Sequence, residues 1–223
     1  MDVPSIKEEL KEIIFKAIKT NYLSESCLDN IQTVNHYQSL ILGETETFGY
    51  RSNRNVFMDQ INFQGNKVLD LGSNLGQLSR NARKRGAYLV DGFEYDRFFI
   101  EIANAVNVYN DITRVSFYQR DITDPTIYTE HYDIVLAFAV FSYIQSVLNM
   151  IAEITDGVLV LETHKLLKDL DSRYLEPILR YFPCYKILGE TELGMTRDPN
   201  LRRAIIVFAK QRSVLASALK INE

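Results

Sequence analysis

The sequence predicts a doubly wound α/β fold for this 223-residue chain: a seven-stranded sheet, mostly parallel, closed by an antiparallel strand and preceded by helices. Three observations lead there. From Lys67 to Glu162, short β-branched and leucine-rich runs alternate with helical periodicity, the pattern that right-handed βαβ crossovers leave in a sequence. The first of those runs, VLDLGSNLG at 68–76, ends at a carboxylate and a turn holding two glycines, the form a parallel strand takes where its end meets a ligand. Near the C-terminus, CYKILGE (184–190) and RRAIIVFAK (202–210) are separated only by a polar loop, so they can pair as antiparallel neighbours.

The elements follow in order. Residues 4–22 place Ile6, Leu10, Ile13, Ile14, Ala17 and Ile18 on one helical face, with Pro4 in the first turn. A second helix is expected over 26–42, and the two either cover a sheet edge or close over a ligand. Strands are expected at 67–71, 88–94, 114–119, 132–138 and 157–162, with helices at 75–85, 97–108 and 143–154 between them. Another helix, 170–181, precedes the terminal hairpin. The chain thus divides into a helical extension or lid (1–60), a core domain (61–212) and a C-terminal tail (213–223).

Composition bounds the function. A hydrophobic share of 46% is enough for a substantial core. Net charge is −4, so no overall cationic field gathers nucleic acid, which disfavours such a partner. Arg197, Arg202, Arg203, Lys210 and Arg212 still form a local basic strip, which suits a substrate phosphate or carboxylate, or guards a strand edge against pairing. The N-terminal MDVPSIKEELKEI is charged, and the longest apolar run, IVLAFAVF at 134–141, is far too short to span a membrane. A soluble, cytoplasmic protein is expected. Cys27 and Cys184 have neither a metal-binding nor a disulfide-framework spacing and read as reduced thiols.

The turn at 72–76 differs from the dinucleotide fingerprint G-x-G-x-x-G, because Asn74 stands where the middle glycine would be. Asparagine still tolerates a left-handed backbone. Asp70, beside a helix N-terminus, would repel a pyrophosphate but suits a ligand with an ammonium or sulfonium; capping of the following helix is its bland role.

Taken with Glu94 ending the second strand, Asp121 in YQRDITDP after the third, YDIVLAF as the fourth and the closing hairpin, this turn resembles the class I S-adenosylmethionine-dependent methyltransferases over residues 66–210. The resemblance implies S-adenosylmethionine as cofactor. Asp70 with Gly72, Ser73, Asn74 and Gly76 would hold the methionine portion, and Glu94 the ribose hydroxyls, with Asp96 left to cap the next helix. Asp121 and the backbone N–H of Ile122 would face adenine, Asp121 having a turn role as its alternative. Phe138 and Ala139 would flank the adenosine or the sulfonium, and Tyr95 cover the ribose or adenine face; core or surface packing is the competing role for each.

The acceptor side is thinner. Methyl transfer from an activated sulfonium needs mainly a positioned nucleophile, and a base only if the acceptor must lose a proton. His164 in LETHK is the candidate base, with Glu162 placed to orient it or to bind an acceptor amine, and Tyr143 is a candidate wall. In ETFGYRSNRNVF (46–57), Arg51 is a candidate fork for the cofactor's carboxylate or an acidic substrate, or else a surface cation. RSN at 51–53 and VLVLET at 158–163 are faintly similar to the transfer-RNA wobble uridine carboxymethyltransferases. The sequence AFAVFSY stands where a base-amino methyltransferase would carry its N/D-P-P-Y/F tetrad, which disfavours a flipped DNA base. The resulting expectation is methylation of oxygen or nitrogen on a small molecule, the alternatives being an RNA-modifying methyl- or carboxymethyltransferase and a non-catalytic cofactor-binding module.

Overall fold

The structure, a computed structural model, describes residues 3–22, 38–46, 53–192 and 202–220. In chain order it holds α1 (Val3–Tyr22), a small hairpin of β1 (Ile41–Leu42) and β2 (Thr45–Glu46), and α2 (Arg54–Met58). There follow β3 (Lys67–Leu71), α3 (Gln77–Lys84), β4 (Leu89–Glu94), α4 (Arg97–Tyr109), β5 (Val115–Gln119) and β6 (Tyr132–Phe138). Then come α5 (Phe141–Ile144), α6 (Leu148–Ile154), β7 (Thr155–Glu162), α7 (Ser172–Leu179), β8 (Cys184–Thr191), β9 (Arg203–Ala209) and α8 (Arg212–Ala218).

Seven strands form one sheet in the order β5-β4-β3-β6-β7-β9-β8, parallel except for β9, which runs antiparallel to both its neighbours. The strand order reverses between β3 and β6, the switch point at which open α/β sheets leave a crevice past the strands' carboxyl ends. Strands 67–71 and 132–138 begin and end where the sequence places them. Buried on both faces, β3, β6, β7 and β9 are nearly continuous apolar runs, as central strands of a doubly wound sheet must be. One core cluster, with Leu69, Leu161 and Ile206, packs α5, α6 and α7 on one face; the other, with Val68, Val160 and Val207, packs α3 and α8 on the opposite face.

Several expectations are corrected. Residues 38–42 do not end a helix over 26–42: Ile41 and Leu42 belong to the β1–β2 hairpin, and 23–37 lie outside the described residues. Segment 143–154 is broken into α5, a single 3-10 turn at Gln145–Val147, and α6. Among residues 7–16 of α1 the buried ones are Ile14 and Phe15, which pack with Ile102 and Val106 of α4, whereas Ile13 is 62% exposed. The expected tail holds α8, whose Val214 and Leu215 pack on the sheet. Behind α8, Asn62 N–H donates to Ala218 O (2.8 Å) and Lys220 N–H to Gln60 O (2.9 Å), tying residues 60–62 to 218–220.

Candidate active site

The turn after β3 has the backbone its residues require. Gly72, Asn74 and Gly76 all have positive φ (69°, 51° and 77°), so asparagine takes the left-handed position that the sequence assigned to it. Close packing adds to the demand for glycine. A Cβ on Gly72 would stand 2.7 Å from Val140 Cγ1, and one on Gly76 would stand 2.2 Å from the Phe117 ring.

This turn forms one wall of a cleft of about 460 Å³ past the carboxyl ends of β3, β4, β5 and β6. Glu94 ends β4 in it and Tyr95 follows, Arg120 to Thr123 come after β5, and Phe138 ends β6 with Ala139, Val140 and Tyr143 beyond it. Four strand tips contribute because a parallel sheet aligns its carboxyl ends at one edge.

Glu94 is the most constrained group there. Its Oε2 accepts the N–H of Asn74 (2.8 Å), and its Oε1 accepts those of Tyr95 (2.8 Å) and Asp96 (3.0 Å). Three amides therefore fix the carboxylate plane, with Oε1 filled by two of them and Oε2 keeping acceptor capacity. Asp96 caps α4 by accepting from Phe98 N–H (2.9 Å), the capping role that the sequence suggests for it. Asp121 Oδ1 accepts from the Thr123 N–H (2.9 Å) and hydroxyl (2.7 Å), so the residue shapes its own turn while also lining the cleft. Asn74 Oδ1 is buried and accepts no hydrogen bond. Ala139 sits at φ 60°, a strained setting for a residue with a Cβ, and its N–H donates to Glu162 O (3.2 Å).

Other candidates fall elsewhere. Asp70 is buried behind the turn rather than lining the cleft, and Ser79 Oγ on α3 donates to it (2.6 Å). Burial pushes its carboxyl up to about 6, opposed by the Ser79 hydrogen bond and the Arg54 charge, with Glu94 adding to the rise. Ser73 is likewise buried outside the lining. Tyr95 is 72% and Tyr143 61% exposed at the rim.

Glu162 does not line the cleft. Its carboxylate is fully buried and held by Arg54, whose Nε donates to Oε1 (3.1 Å) and whose second nitrogen pairs with Oε2, and by the Thr191 hydroxyl (2.8 Å). Arg203 approaches the same carboxylate at 3.8 Å. His164 is exposed, with its backbone N–H 3.4 Å from the Tyr174 hydroxyl, and is not part of the cleft lining. Arg51 and Arg197 lie outside the described residues. Of the basic strip, Arg202 pairs with Glu192 (2.9 Å) and Arg203 turns toward Glu162, while Lys210 and Arg212 face solvent.

The site residue that the sequence did not single out by role is Arg54. Its guanidinium is 1% exposed, lies 5.4 Å from the centroid of the Phe138 ring and lowers the Asp70 pKa. The available signal was a carboxylate ending an apolar strand at Glu162, since a fully buried carboxylate calls for a cation.

Residues fit for an adenosyl ligand with a cationic sulfur are present. The cleft has ligand size, two carboxylates, an unpartnered amide oxygen and a bare glycine backbone. The family described as "Methyltransferase domain" matches residues 68–158. Solved structures share the fold. The bifunctional kinase-methyltransferase WbdD superposes with a TM-score of 0.63 at 15% identity, over 88% of this chain and 46% of that one. A putative SAM-dependent methyltransferase from Streptococcus mutans gives 0.57 at 16%, over 73% and 49%. The magnesium protoporphyrin IX methyltransferase from Synechocystis PCC 6803, solved with bound SAM, gives 0.53 at 18%, over 70% and 75%. The chain spans about half the length of the first two. No curated protein matches it.

Proposed function

We propose that this chain, whose residues 68–158 match a methyltransferase domain, transfers the methyl group of S-adenosylmethionine to oxygen or nitrogen of a small-molecule acceptor. The observation that carries this reading is the meeting of Glu94, Asp121 and the Gly72–Gly76 turn around one cleft. When bound, the cofactor supplies a methyl group already activated by its sulfonium.

The chain's own residues bind and orient. Glu94, held by three amides, accepts a ribose hydroxyl proton on Oε2 with no reorganisation of its carboxylate. Asp121 and the backbone N–H of Ile122 take the adenine edge, with Phe138 and Tyr95 against its faces. Gly72 and Asn74 hold the methionine portion, and Asp70, through Ser79 and α3, stabilises the turn from behind. The acidic lining favours a cationic ligand, and a base is unnecessary where the acceptor attacks with a free lone pair.

Support for a small acceptor comes from the net charge of −4 and from the pairing of Arg202 and Arg203 with acids, which weakens the basic strip as a phosphate track. Calorimetric titration with S-adenosylmethionine and S-adenosylhomocysteine tests the cofactor reading. Saturable binding abolished by Glu94→Ala is expected; an intact protein that binds neither would end it. An acceptor screen with radiolabelled methyl donor, run with and without added RNA, then decides the acceptor class.

A further inference from the structure

A second cavity, of about 490 Å³, lies away from the cleft, between α3, the turn at 110–113 and the segment leading into β1. Gln77, Arg80, Asn81 and Lys84 line it from α3, at positions i, i+3, i+4 and i+7, so one whole face of that helix is turned into it. The opposite face of α3 is ordinary core, with Leu78 and Ala82 against the sheet. A helix held between a sheet and an outer layer normally buries apolar residues on both sides. Here the outer side is polar and cationic, and it borders open space.

Among the described residues, the cations in the cavity have no carboxylate in contact. Arg80 donates to the carbonyls of Leu75 and Ala103, and Arg83 to those of Thr113 and Ala87 (3.2 and 3.0 Å). Neither guanidinium pairs with a carboxylate among the described residues, and Lys84 has no partner there. Asp111, the acid of the lining, is already paired with Lys7 (2.6 Å). Burial lowers the Arg80 pKa to about 9, with Asp70 as the opposing charge, the direction expected of a cation removed from water without an anion in contact. Gln77 adds an independent mark: it is 5% exposed, its amide nitrogen meets Ser39, and its Oε1 is buried without any partner. A buried amide oxygen left unsatisfied at the wall of a cavity calls for a donor, from water or from a hydroxyl or N–H of an occupant. Across from the cations, Ile41 and Ile112 give an apolar surface.

We propose that this cavity is a second ligand site, for a small organic anion whose apolar body rests on Ile41 and Ile112 and whose carboxylate or phosphate head faces Arg80, Arg83 and Lys84. Its volume is that of a small-molecule pocket. Because its walls are separate from the cleft, its occupant binds alongside the cofactor.

The test uses the whole protein at low ionic strength, titrated with phenyl phosphate and with benzoate, each with and without saturating S-adenosylhomocysteine. Benzyl alcohol and inorganic phosphate serve as probes lacking the head or the body. Expected is saturable binding of at least one aryl anion, undisturbed by S-adenosylhomocysteine, tighter than either control and weakened about tenfold or more by Lys84→Glu. Lys84 is exposed and makes no contact that the fold needs, so this variant should keep its circular dichroism and melting point. Which head binds tighter tells phosphate from carboxylate. Absence of saturable binding, an affinity unchanged by Lys84→Glu, or competition by S-adenosylhomocysteine would each overturn the assignment.

Discussion

Arg54 and Glu162 stand 108 residues apart in sequence, yet they form a fully buried ion pair against Phe138, the aromatic wall of the cleft. The pair joins a helix ahead of the sheet to the tip of β7, and Thr191 adds β8 to the same carboxylate. Glu162 also takes the Ala139 N–H through its backbone carbonyl, so the strained tip of β6 is anchored at this point too.

Removing one partner of such a pair leaves an uncompensated charge in the core. Glu162→Ala is expected to lower stability by about 3–5 kcal/mol in urea unfolding. The double variant Arg54→Met/Glu162→Leu should lose less than either single charge deletion. Equal or additive losses would show that the pair is not coupled.

Glu94→Ala removes the acceptor held by the Asn74, Tyr95 and Asp96 amides. Affinity for S-adenosylhomocysteine should fall more than tenfold, at about 1.5–3 kcal/mol for a charged hydrogen-bonding group. Glu94→Gln should retain part of it, because one oxygen still accepts while the new amide nitrogen faces a donor. Calorimetry on the three proteins checks the order.

Asp70 gives a pH dependence whose sign is fixed by its raised pKa, about 6 in the fold against 3.8 for the free group. Between those values the folded state holds a proton that the unfolded state has lost. Its stabilising contribution is therefore complete below pH 3.8 and disappears as pH rises through 6. Relative to Asp70→Asn, which does not titrate, the wild type should lose about 2 kcal/mol between pH 4 and 7 in urea unfolding. A difference that stays flat, or moves the other way, would contradict the burial of this carboxyl.

Gly76→Ala forces a Cβ into the Phe117 ring at a backbone angle of φ 77°. Strain and overpacking together should cost about 2–4 kcal/mol. Thermal unfolding measures it, with Gly65→Ala as a control, since Gly65 has φ 76° but open space around its Cβ position.

His164→Ala should leave S-adenosylhomocysteine affinity unchanged, because the residue does not line the cleft. A measurable loss would place this loop closer to the ligand than the described lining does.

The parallel part of the fold was legible because each strand is a short apolar run with a polar residue at its tip. The same tips made Glu94 and Asp121 visible, as both end strands that must open on one edge. Arg54 was not visible, since its partner lies beyond four intervening strands and nothing local separates a buried guanidinium from an exposed one. Ile13 shows the same limit: helical spacing includes it with Ile14, but only α4 decides which of them is covered. Asp70 was read as a ligand contact because it precedes the glycine turn, whereas strand alternation points its side chain under α3, toward Ser79.

The stitch between residues 60–62 and 218–220 means that the sheet is entered and left at one place. The folded unit is in effect a ring, opened where two short stretches of backbone lie side by side. A chain running from Gln60 to Lys220, joined there by a brief linker and cut instead in a surface turn remote from the cleft, should keep the strand order but lose the stability that Arg54 lends to buried Glu162.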